Sequence, residues 1–241
     1  MKVLKVLIAC EESQRVCAAF RELGHEAYSC DIQKPSGGHP EWHIKGNVLD
    51  IIEPLNNCRG EPYDFIIFCT MDGELHTIEN KWDLIIAHPP CTYLSNAGAC
   101  RLYPKAGQLN TERYEQGLQA KRFFLRLYNA DCEHIAVENP VPSKIYELPK
   151  YTQIIQPFEY GHPFTKKTCL WLKNLPKLKS TNIVEPKGMY VNGNSAIWKK
   201  QKMQGEVTGK SKDPKERSKT FEGIAKAMAE QWSAYLSGDK Q

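Results

Sequence analysis

The sequence has no apolar run long enough to cross a bilayer, so we expect no membrane-spanning helix and no membrane partner. Its nine cysteines are scattered without a single CxxC pair, and neither a zinc site nor a disulfide framework is indicated. The apolar run within MKVLKVLIAC is short and leads directly into EESQR without a small-residue cleavage site, which argues against a signal peptide. These absences predict a cytoplasmic protein with reduced thiols.

Length and charge are those of an ordinary globular domain. The 241 residues suffice for one substantial domain, which we expect to span 1–241. The formal net charge of +4 is compatible with a polyanionic partner without requiring one. His39 and His43 have the spacing of two metal ligands, but the neighbouring sequence offers no third ligand. We therefore predict no metal site.

The start of the chain predicts the beginning of a doubly wound α/β sheet. Val3–Ala9 is an apolar run of strand length. Ser13–Leu23 carries apolar residues at helical spacing, and Gly24 ends this predicted helix. A second strand, Glu26–Cys30, is followed directly by Asp31. An acid at this position can accept hydrogen bonds from a ribose diol. A solvated aspartate at a strand end is the alternative interpretation.

The most informative stretch of the sequence is Trp82–Gly98, WDLIIAHPPCTYLSNAG. Leu84–Ala87 has the apolar run of a buried strand, and Pro89 and Pro90 turn the chain away from the sheet where that strand ends. Cys91 is thereby held on a rigid corner at the edge where ligands bind in open α/β sheets. The sequence predicts that this thiol attacks a molecule in the crevice.

A second buried strand, Glu133–Val137, places Glu138 and Asn139 at its carboxyl end. We expect this strand to lie beside the one that carries Cys91. The thiol and the carboxyl group would then meet at adjacent strand ends.

Two segments are predicted outside the central sheet. Residues 60–80 predict an inserted β-hairpin around an Asp-Gly turn. Residues 179–216 are polar and lysine-rich, and Trp198 among those lysines is suited to stacking on a nucleic acid. A solvated loop is the alternative for this lysine-rich segment. A final helix is predicted over Arg217–Leu236.

Two motifs resemble those of one enzyme family, the DNA (cytosine-5) methyltransferases. VENP at 137–140 is similar to the Glu-Asn of the family's motif VI. The proline-cysteine segment is similar to motif IV, with matches in order and spacing at Pro90, Cys91, Ser95, Ala97 and Gly98. The chain resembles a compact type, as in phage or mobile elements, in which the lysine-rich segment replaces a full target-recognition domain.

The resemblance implies a fold, a cofactor and a reaction. The fold would be α/β and Rossmann-like, of the S-adenosylmethionine-dependent methyltransferase type, with a mostly parallel central sheet and helices on both faces. The reaction would move a methyl group from S-adenosyl-L-methionine to carbon 5 of cytosine in DNA, through a covalent adduct of Cys91 with carbon 6. Glu138, its pKa raised by partial desolvation, would protonate the ring's N3, and Asn139 would orient the carboxyl group or the base edge.

The base has to leave its stack to reach the crevice, so the substrate would be flipped from duplex DNA, single-stranded, or a free pyrimidine nucleotide. On the donor side, Glu11 or Glu12 would pair with the amino group of the methionine moiety, and Asn47 would accept a hydrogen bond from the adenine amino group. Ser13 is predicted to cap the first helix. The predicted cofactor-binding residues are Cys10, Glu11, Glu12, Ser13, Asp31, Asn47, Asp50 and Pro89. The predicted substrate-binding residues are Pro90, Ser95, Arg101 and Lys167.

The chain departs from the family's pattern in a first turn without glycine and in Asn47 in place of an acid. It departs also in motif VIII, where Phe164, Lys166 and Thr168 replace the glutamine and the two arginines. That motif is matched at Tyr160, Gly161 and Pro163. Lys166 or Lys167 would then supply the cation that polarises the cytosine carbonyl, although lysine lacks the planar fork of arginine.

These departures motivate one alternative, a methyltransferase-like protein that binds DNA or nucleotide without turnover. The short lysine-rich segment motivates another, the same chemistry on a free pyrimidine nucleotide. An amino-methyltransferase fits poorly, because Cys91 stands where an aromatic residue would follow the prolines.

Overall fold

The structure is a computed structural model that describes residues 2–53, 63–79, 81–99, 101–105, 107–189 and 214–238. Most of the predicted lysine-rich segment, including Trp198, lies outside the described residues. In chain order the elements are β1 (Lys5–Ala9), α1 (Arg15–Glu22), β2 (Glu26–Asp31), β3 (His43–Lys45), α2 (Leu49–Ile52), β4 (Phe65–Cys69), β5 (Leu75–Glu79), β6 (Leu84–Ala87), α3 (Asn96–Ala99), α4 (Thr111–Tyr128), β7 (Ile135–Pro140), β8 (Gln153–Ile155), β9 (Phe164–Thr165), β10 (Thr168–Lys173), β11 (Gly188–Met189), α5 (Pro214–Ser218) and α6 (Glu222–Leu236).

The central sheet has seven strands in the order β3-β2-β1-β6-β7-β10-β8. The five strands from β3 to β7 pair in parallel, whereas β10 is antiparallel to both of its neighbours. The chain begins at β1, moves outward to β3 and returns to β6 on the other side of β1. The topological switch point, where ligands bind in such sheets, therefore lies between β1 and β6. The predicted α/β, Rossmann-like fold, with a mostly parallel central sheet and helices on both faces, is confirmed.

Hydrophobic clusters cover both faces of this sheet. Successive residues of β1 enter opposite clusters, with Leu7 on one face and Ile8 on the other, as the strand period requires. On the Ile8 face, α1 and α6 contribute Phe20 and Trp232, both fully buried. On the Leu7 face, α4 contributes Phe124. Burying a side chain such as Phe20 contributes about 1.5–3 kcal/mol, so the helices on both faces hold the sheet in place.

An antiparallel hairpin of β4 and β5 forms a separate two-stranded sheet. Gly73 in its turn has φ +95°, a left-handed conformation that favours glycine. The inner face of the hairpin buries Phe68 and Ile78 against the central sheet. A 3.0 Å hydrogen bond between the Tyr28 hydroxyl and His76 Nδ1 fastens the hairpin to β2.

The last predicted helix is wrong at its start, because α5 and α6 are separate helices. Phe221, the N-cap of α6, has extended backbone (φ −68°, ψ 139°), and its side chain is 8% exposed. His162 Nε2 accepts a hydrogen bond from the Gly223 N–H at 3.0 Å, which satisfies an N–H at the helix start. Sequence periodicity contains no information about this distant histidine. Among the helices in the described ranges, none is long and apolar enough to span a membrane.

Candidate active site

The corner after β6 is tied to the neighbouring strand by a buried amide. Pro89 and Pro90 lead the chain from β6 to Cys91, and Asn139 Nδ2 donates a 2.8 Å hydrogen bond to the Pro89 carbonyl oxygen. Asn139 is 1% exposed, and its Oδ1 has no hydrogen-bond partner within the described part of the chain. A buried acceptor of this kind is one that a bound molecule would satisfy. Pro89 is buried, whereas Pro90 is exposed.

The segment after Cys91 is held firmly against the segment after β7. The Asn96 N–H donates to the Val141 carbonyl oxygen at 2.8 Å. A Cβ atom at Gly98 would lie 2.5 Å from the Thr92 carbonyl oxygen, so this close approach requires glycine. The Ser95 hydroxyl, 7% exposed, accepts a 3.2 Å bond from the Gly98 N–H. Ser95 therefore braces this loop, and its contact with substrate stays a prediction.

Cys91 and Glu138 lie at the ends of adjacent parallel strands, as the sequence led us to expect. Cys91 is partly exposed. Its pKa is raised by burial and by the negative charge of Glu138, while the positive charges of Lys166 and Arg217 act in the opposite direction. One carboxylate and two cations therefore lie within electrostatic range of the thiol.

The pKa of Glu138 is lowered, and the prediction that it would be raised is wrong. Burial alone would raise the pKa. A 3.0 Å hydrogen bond between His88 Nδ1 and Glu138 Oε2, together with the positive charges of His88 and Lys166, outweighs burial. At neutral pH the carboxyl group is therefore ionised. The sequence indicates desolvation of Glu138 but not its hydrogen-bonded partner, which lies 50 residues earlier in the chain.

His88 is a site residue that the sequence analysis missed. Its side chain is 9% exposed, and its Nε2 is buried with no hydrogen-bond partner among the residues described. Its charge also acts on Glu11, whose pKa is raised by burial. The available signal was its position directly after a buried strand, at the sheet edge where ligands bind.

Arg217 is the second missed residue. It lies on α5, and Lys166 Nζ donates a 3.0 Å hydrogen bond to its carbonyl oxygen. The Thr168 hydroxyl donates to the Lys166 carbonyl oxygen at 3.3 Å and so helps to hold Lys166. Of the two lysines predicted to supply a cation, Lys166 therefore joins the cluster. Lys167 and the predicted substrate contact Arg101 are exposed.

The first turn, between β1 and α1, adopts a glycine-like backbone without glycine. Cys10 and Gln14 have φ of 59° and 58°, a left-handed conformation that costs about 1–2 kcal/mol for each non-glycine residue. The Gln14 side chain offsets part of this cost, because Nε2 donates to the His39 carbonyl oxygen at 2.7 Å and Oε1 accepts from the His39 N–H at 3.1 Å. At Gly37 a Cβ atom would lie 2.6 Å from the Gln14 Cβ. The loop that follows β2 thus packs directly on this turn.

Glu11 caps α1, and the prediction that Ser13 would do so is wrong. The Glu11 carboxylate accepts hydrogen bonds from the N–H groups of Val16 at 2.7 Å and Cys17 at 3.1 Å. The Ser13 hydroxyl instead donates to Glu11 Oε1 at 3.4 Å. Glu11 is 4% exposed, and both of its carboxylate oxygens accept hydrogen bonds from the first turn of α1. Glu12, 7% exposed, carries the other carboxylate of this turn.

Carboxylates gather at the ends of β2 and β3. The pKa of Cys10 is raised by burial and by the charge of Asp31. The pKa of Cys30 is raised to about 12 by burial and by the charges of Asp31 and Asp50. Asn47 and Asp50 are exposed. Carboxylate oxygens accept hydrogen bonds from hydroxyl and amino groups and attract cations, so this cluster could bind a ligand that carries such groups.

The two histidines that resemble a metal pair have other contacts. His39 Nδ1 lies 2.9 Å from Glu41 Oε1, and its ring stacks on Trp42. His43 is buried, with Nδ1 2.9 Å from the Ser29 hydroxyl. Over the ranges that the structure describes, no group of three or more His, Cys, Asp or Glu side chains could hold a metal ion.

No protein-family model and no curated protein matches the chain. Similar solved structures include a protein assigned as a DNA modification methyltransferase encoded within an E. coli prophage, with 13% identity, a TM-score of 0.40, and coverage of 76% of this chain and 52% of that one. The Entamoeba histolytica methyltransferase EhMeth has 14% identity, a TM-score of 0.39, and coverage of 81% and 62%. The S. pombe Dnmt2 methyltransferase has 16% identity, a TM-score of 0.36, and coverage of 73% and 51%. The aligned parts thus span less than two thirds of each of these structures.

Proposed function

We propose that this protein transfers a methyl group from S-adenosyl-L-methionine to carbon 5 of cytosine in DNA through a covalent Cys91 adduct. The observation that carries the proposal is the pairing of a partly exposed thiol with an ionised carboxyl group, Glu138, at adjacent strand ends. The resemblance to motifs IV and VI at residues 90–98 and 137–140 supports the same chemistry.

The acidic cluster at the ends of β1, β2 and β3 fits the methyl donor. In this proposal Asp31 accepts hydrogen bonds from the ribose hydroxyls, and Asn47 or Asp50 accepts one from the adenine amino group. Glu12 pairs with the amino group of the methionine moiety, while Glu11 stays bonded to α1. When bound, the donor supplies an electrophilic methyl group beside the corner that carries the thiol.

Cys91 and Glu138 together hold the one proton that the addition step needs. In the resting site the thiol keeps its proton and the carboxyl group is ionised, because the pKa of the first is raised and that of the second is lowered. Transfer of the thiol proton to Glu138 gives a thiolate and a carboxylic acid without exchange with solvent. Lys166 and Arg217 stabilise the thiolate.

The thiolate electron pair then forms the bond from sulfur to carbon 6 of the ring. The C5=C6 π pair shifts towards N3, and N3 takes the proton from Glu138. The product of this step is an enamine whose carbon 5 is nucleophilic. Asn139 keeps the corner in register with β7 while the base edge is bound.

Methyl transfer from tritiated S-adenosylmethionine to cytosine-containing duplex DNA tests the proposal. We expect Cys91→Ser to reduce transfer by at least about a thousandfold, since a nucleophile that initiates covalent catalysis has been removed. Cys69→Ser, at an exposed cysteine on β4, is the matched control and should leave transfer unchanged. DNA with 5-fluorocytosine should trap a denaturation-resistant adduct with the unmodified protein and with Cys69→Ser.

Each contrary result has a defined meaning. Full transfer by Cys91→Ser would exclude the thiol as the nucleophile. Transfer to a pyrimidine mononucleotide but not to DNA would replace the proposed substrate with a free nucleotide.

A methyltransferase-like binding protein without turnover is the second candidate. The closed first turn favours it, because Glu11, Ser13 and Gln14 are all buried and the loop after β2 packs on them. A rise in melting temperature with S-adenosylmethionine, combined with no transfer to DNA or nucleotide, would select this candidate. If millimolar S-adenosylmethionine did not raise the melting temperature, donor binding would be contradicted for both the enzyme and the binding protein.

A further inference from the structure

His88 lies between two carboxyl groups, those of Glu11 and Glu138, one on each side of its strand. Its Nδ1 is 3.0 Å from Glu138 Oε2 on β7, and its charge acts on Glu11 in the turn after β1. The His88 N–H donates to the Ala9 carbonyl oxygen at 2.9 Å, which extends the pairing of β6 with β1 by one residue. The backbone therefore fixes this imidazole at the switch point of the sheet, between the proposed donor and base sites.

Several ionisable groups act on Glu138 or on its partners. From β6 and its corner these are His88 and Cys91, from the loop before β10 it is Lys166, and from β10 it is Cys169. Glu11 faces His88, and Arg217 faces Cys91. Among the influences that favour the ionised carboxyl group, the hydrogen bond with His88 is the largest.

We propose that His88 is a positioning residue, which holds Oε2 of Glu138 through Nδ1 and leaves Oε1 to the pyrimidine ring. This inference rests on the proposed function. His88 itself neither gains nor loses a proton in the addition step. When Glu138 gives its Oε1 proton to N3, the carboxylate that remains already has its Nδ1–H hydrogen bond. No donor has to reorient as the charge develops, which is the advantage of a preorganised site.

The two effects of His88 can be separated by two variants. His88→Gln retains an N–H donor near Oε2 and removes the imidazole that acts electrostatically on Glu138, whereas His88→Ala removes both. His134→Gln is the matched control: His134 directly precedes β7, at the opposite edge of the sheet, and its Nδ1 contacts the Asp83 carbonyl oxygen at 3.2 Å.

The first measurement is the titration of the Glu138 carboxyl carbon by NMR with labelled glutamate, assigned by its absence in Glu138→Gln. We expect the apparent pKa of Glu138 to rise by about one unit or more in both His88 variants and to stay unchanged in His134→Gln, because both His88 variants remove an electrostatic interaction that lowers the pKa of Glu138. An unchanged Glu138 titration in His88→Gln would overturn the inference, whether or not the protein methylates DNA.

The second measurement is the pH profile of kcat/KM for methyl transfer. We expect the acid limb to move upward by about one pH unit in both His88 variants, following the pKa of Glu138. His88→Ala should also lose at least about tenfold in kcat, with rescue towards the original kcat by His88→Gln, because the glutamine N–H can still orient the carboxyl group. Equal loss in both variants would contradict the positioning role. Absence of transfer by the unmodified protein would instead count against the proposed function.

Discussion

The two halves of the sheet's carboxyl edge differ in how their polar groups are used. In the half formed by β1, β2 and β3, Glu11 is bonded to α1 and the Gln14 amide is bonded to the following loop. In the half formed by β6, β7 and β10, Asn139 Oδ1 and His88 Nε2 are buried without hydrogen-bond partners in the described structure. An unsatisfied buried group costs about 1–3 kcal/mol. The first half therefore serves as a scaffold, and the second half has the features of a reactive site.

Among the changes that compare the two halves, removing the carboxyl group of the reactive half should have the largest effect. Glu138→Gln keeps the shape of the side chain but cannot give a proton to N3, so we expect kcat/KM for methyl transfer to fall by about 10²–10⁴-fold. Glu133→Gln, just before β7 at the opposite end of the strand, is the control. A loss of less than about threefold in Glu138→Gln would show that both halves are scaffold.

Removing the scaffold carboxylate should affect stability. Glu11→Ala leaves the N–H groups of Val16 and Cys17 without their acceptor, and we expect the free energy of unfolding in urea to fall by about 2 kcal/mol. Glu22→Ala, exposed at the other end of α1, should change it by less than about 0.5 kcal/mol. Equal stability of the two variants would remove the basis for calling this half a scaffold.

Asp31 sharpens the comparison, because it belongs to the scaffold half but is proposed to contact the donor. Asp31→Asn should weaken S-adenosylmethionine binding about fivefold, or about 1 kcal/mol, through loss of a charged acceptor. Calorimetry against Asp131→Asn, an exposed aspartate that pairs with Lys81, measures this difference. Identical dissociation constants would place the donor elsewhere.

The smallest expected effect is that of pH near neutrality. The pKa of Glu138 is lowered from its usual value of about 4.3, and that of Cys91 is raised from about 8.5. At a pH below the pKa of Glu138 both groups are protonated, and at a pH above the pKa of Cys91 neither is. Activity should decrease in both of these pH ranges. Between pH 6 and 8, kcat/KM should vary by less than about threefold. A tenfold rise over this interval would mean that the thiolate forms without Glu138.

Local sequence patterns predicted the strands of the reactive half correctly, but they did not predict the electrostatic interactions of its side chains. The strand Leu84–Ala87 is observed with the predicted bounds, because an apolar run between a charged residue and two prolines leaves little freedom. The lowered pKa of Glu138 was not predictable in this way, because it depends on His88, a partner on another strand. Arg217 was missed for a similar reason, since the path of the chain between β11 and α5 is not encoded in local spacing.

For the scaffold half, the sequence predicted the order of the strands and the helix but not the hydrogen bonds between them. Strand, helix, strand and acid follow from hydrophobic periodicity, so β1, α1, β2 and Asp31 appear in the predicted order. The cap of α1 was assigned to Ser13, the usual residue type, whereas a glutamate two positions earlier performs it. Left-handed backbone at Cys10 and Gln14 is also invisible to propensity, which assigns this conformation to glycine.

The packing of α6 against α1 has a consequence for synthesis on the ribosome. Arg15 Nη1 donates to the Thr220 carbonyl oxygen at 2.9 Å, and Trp232 shares a hydrophobic cluster with Phe20 and Ile8. The part of this face that α6 covers therefore stays exposed until residue 236 has left the exit tunnel. During that interval its apolar side chains are a target for holding chaperones, and the Arg217 cation cannot yet reach the thiol.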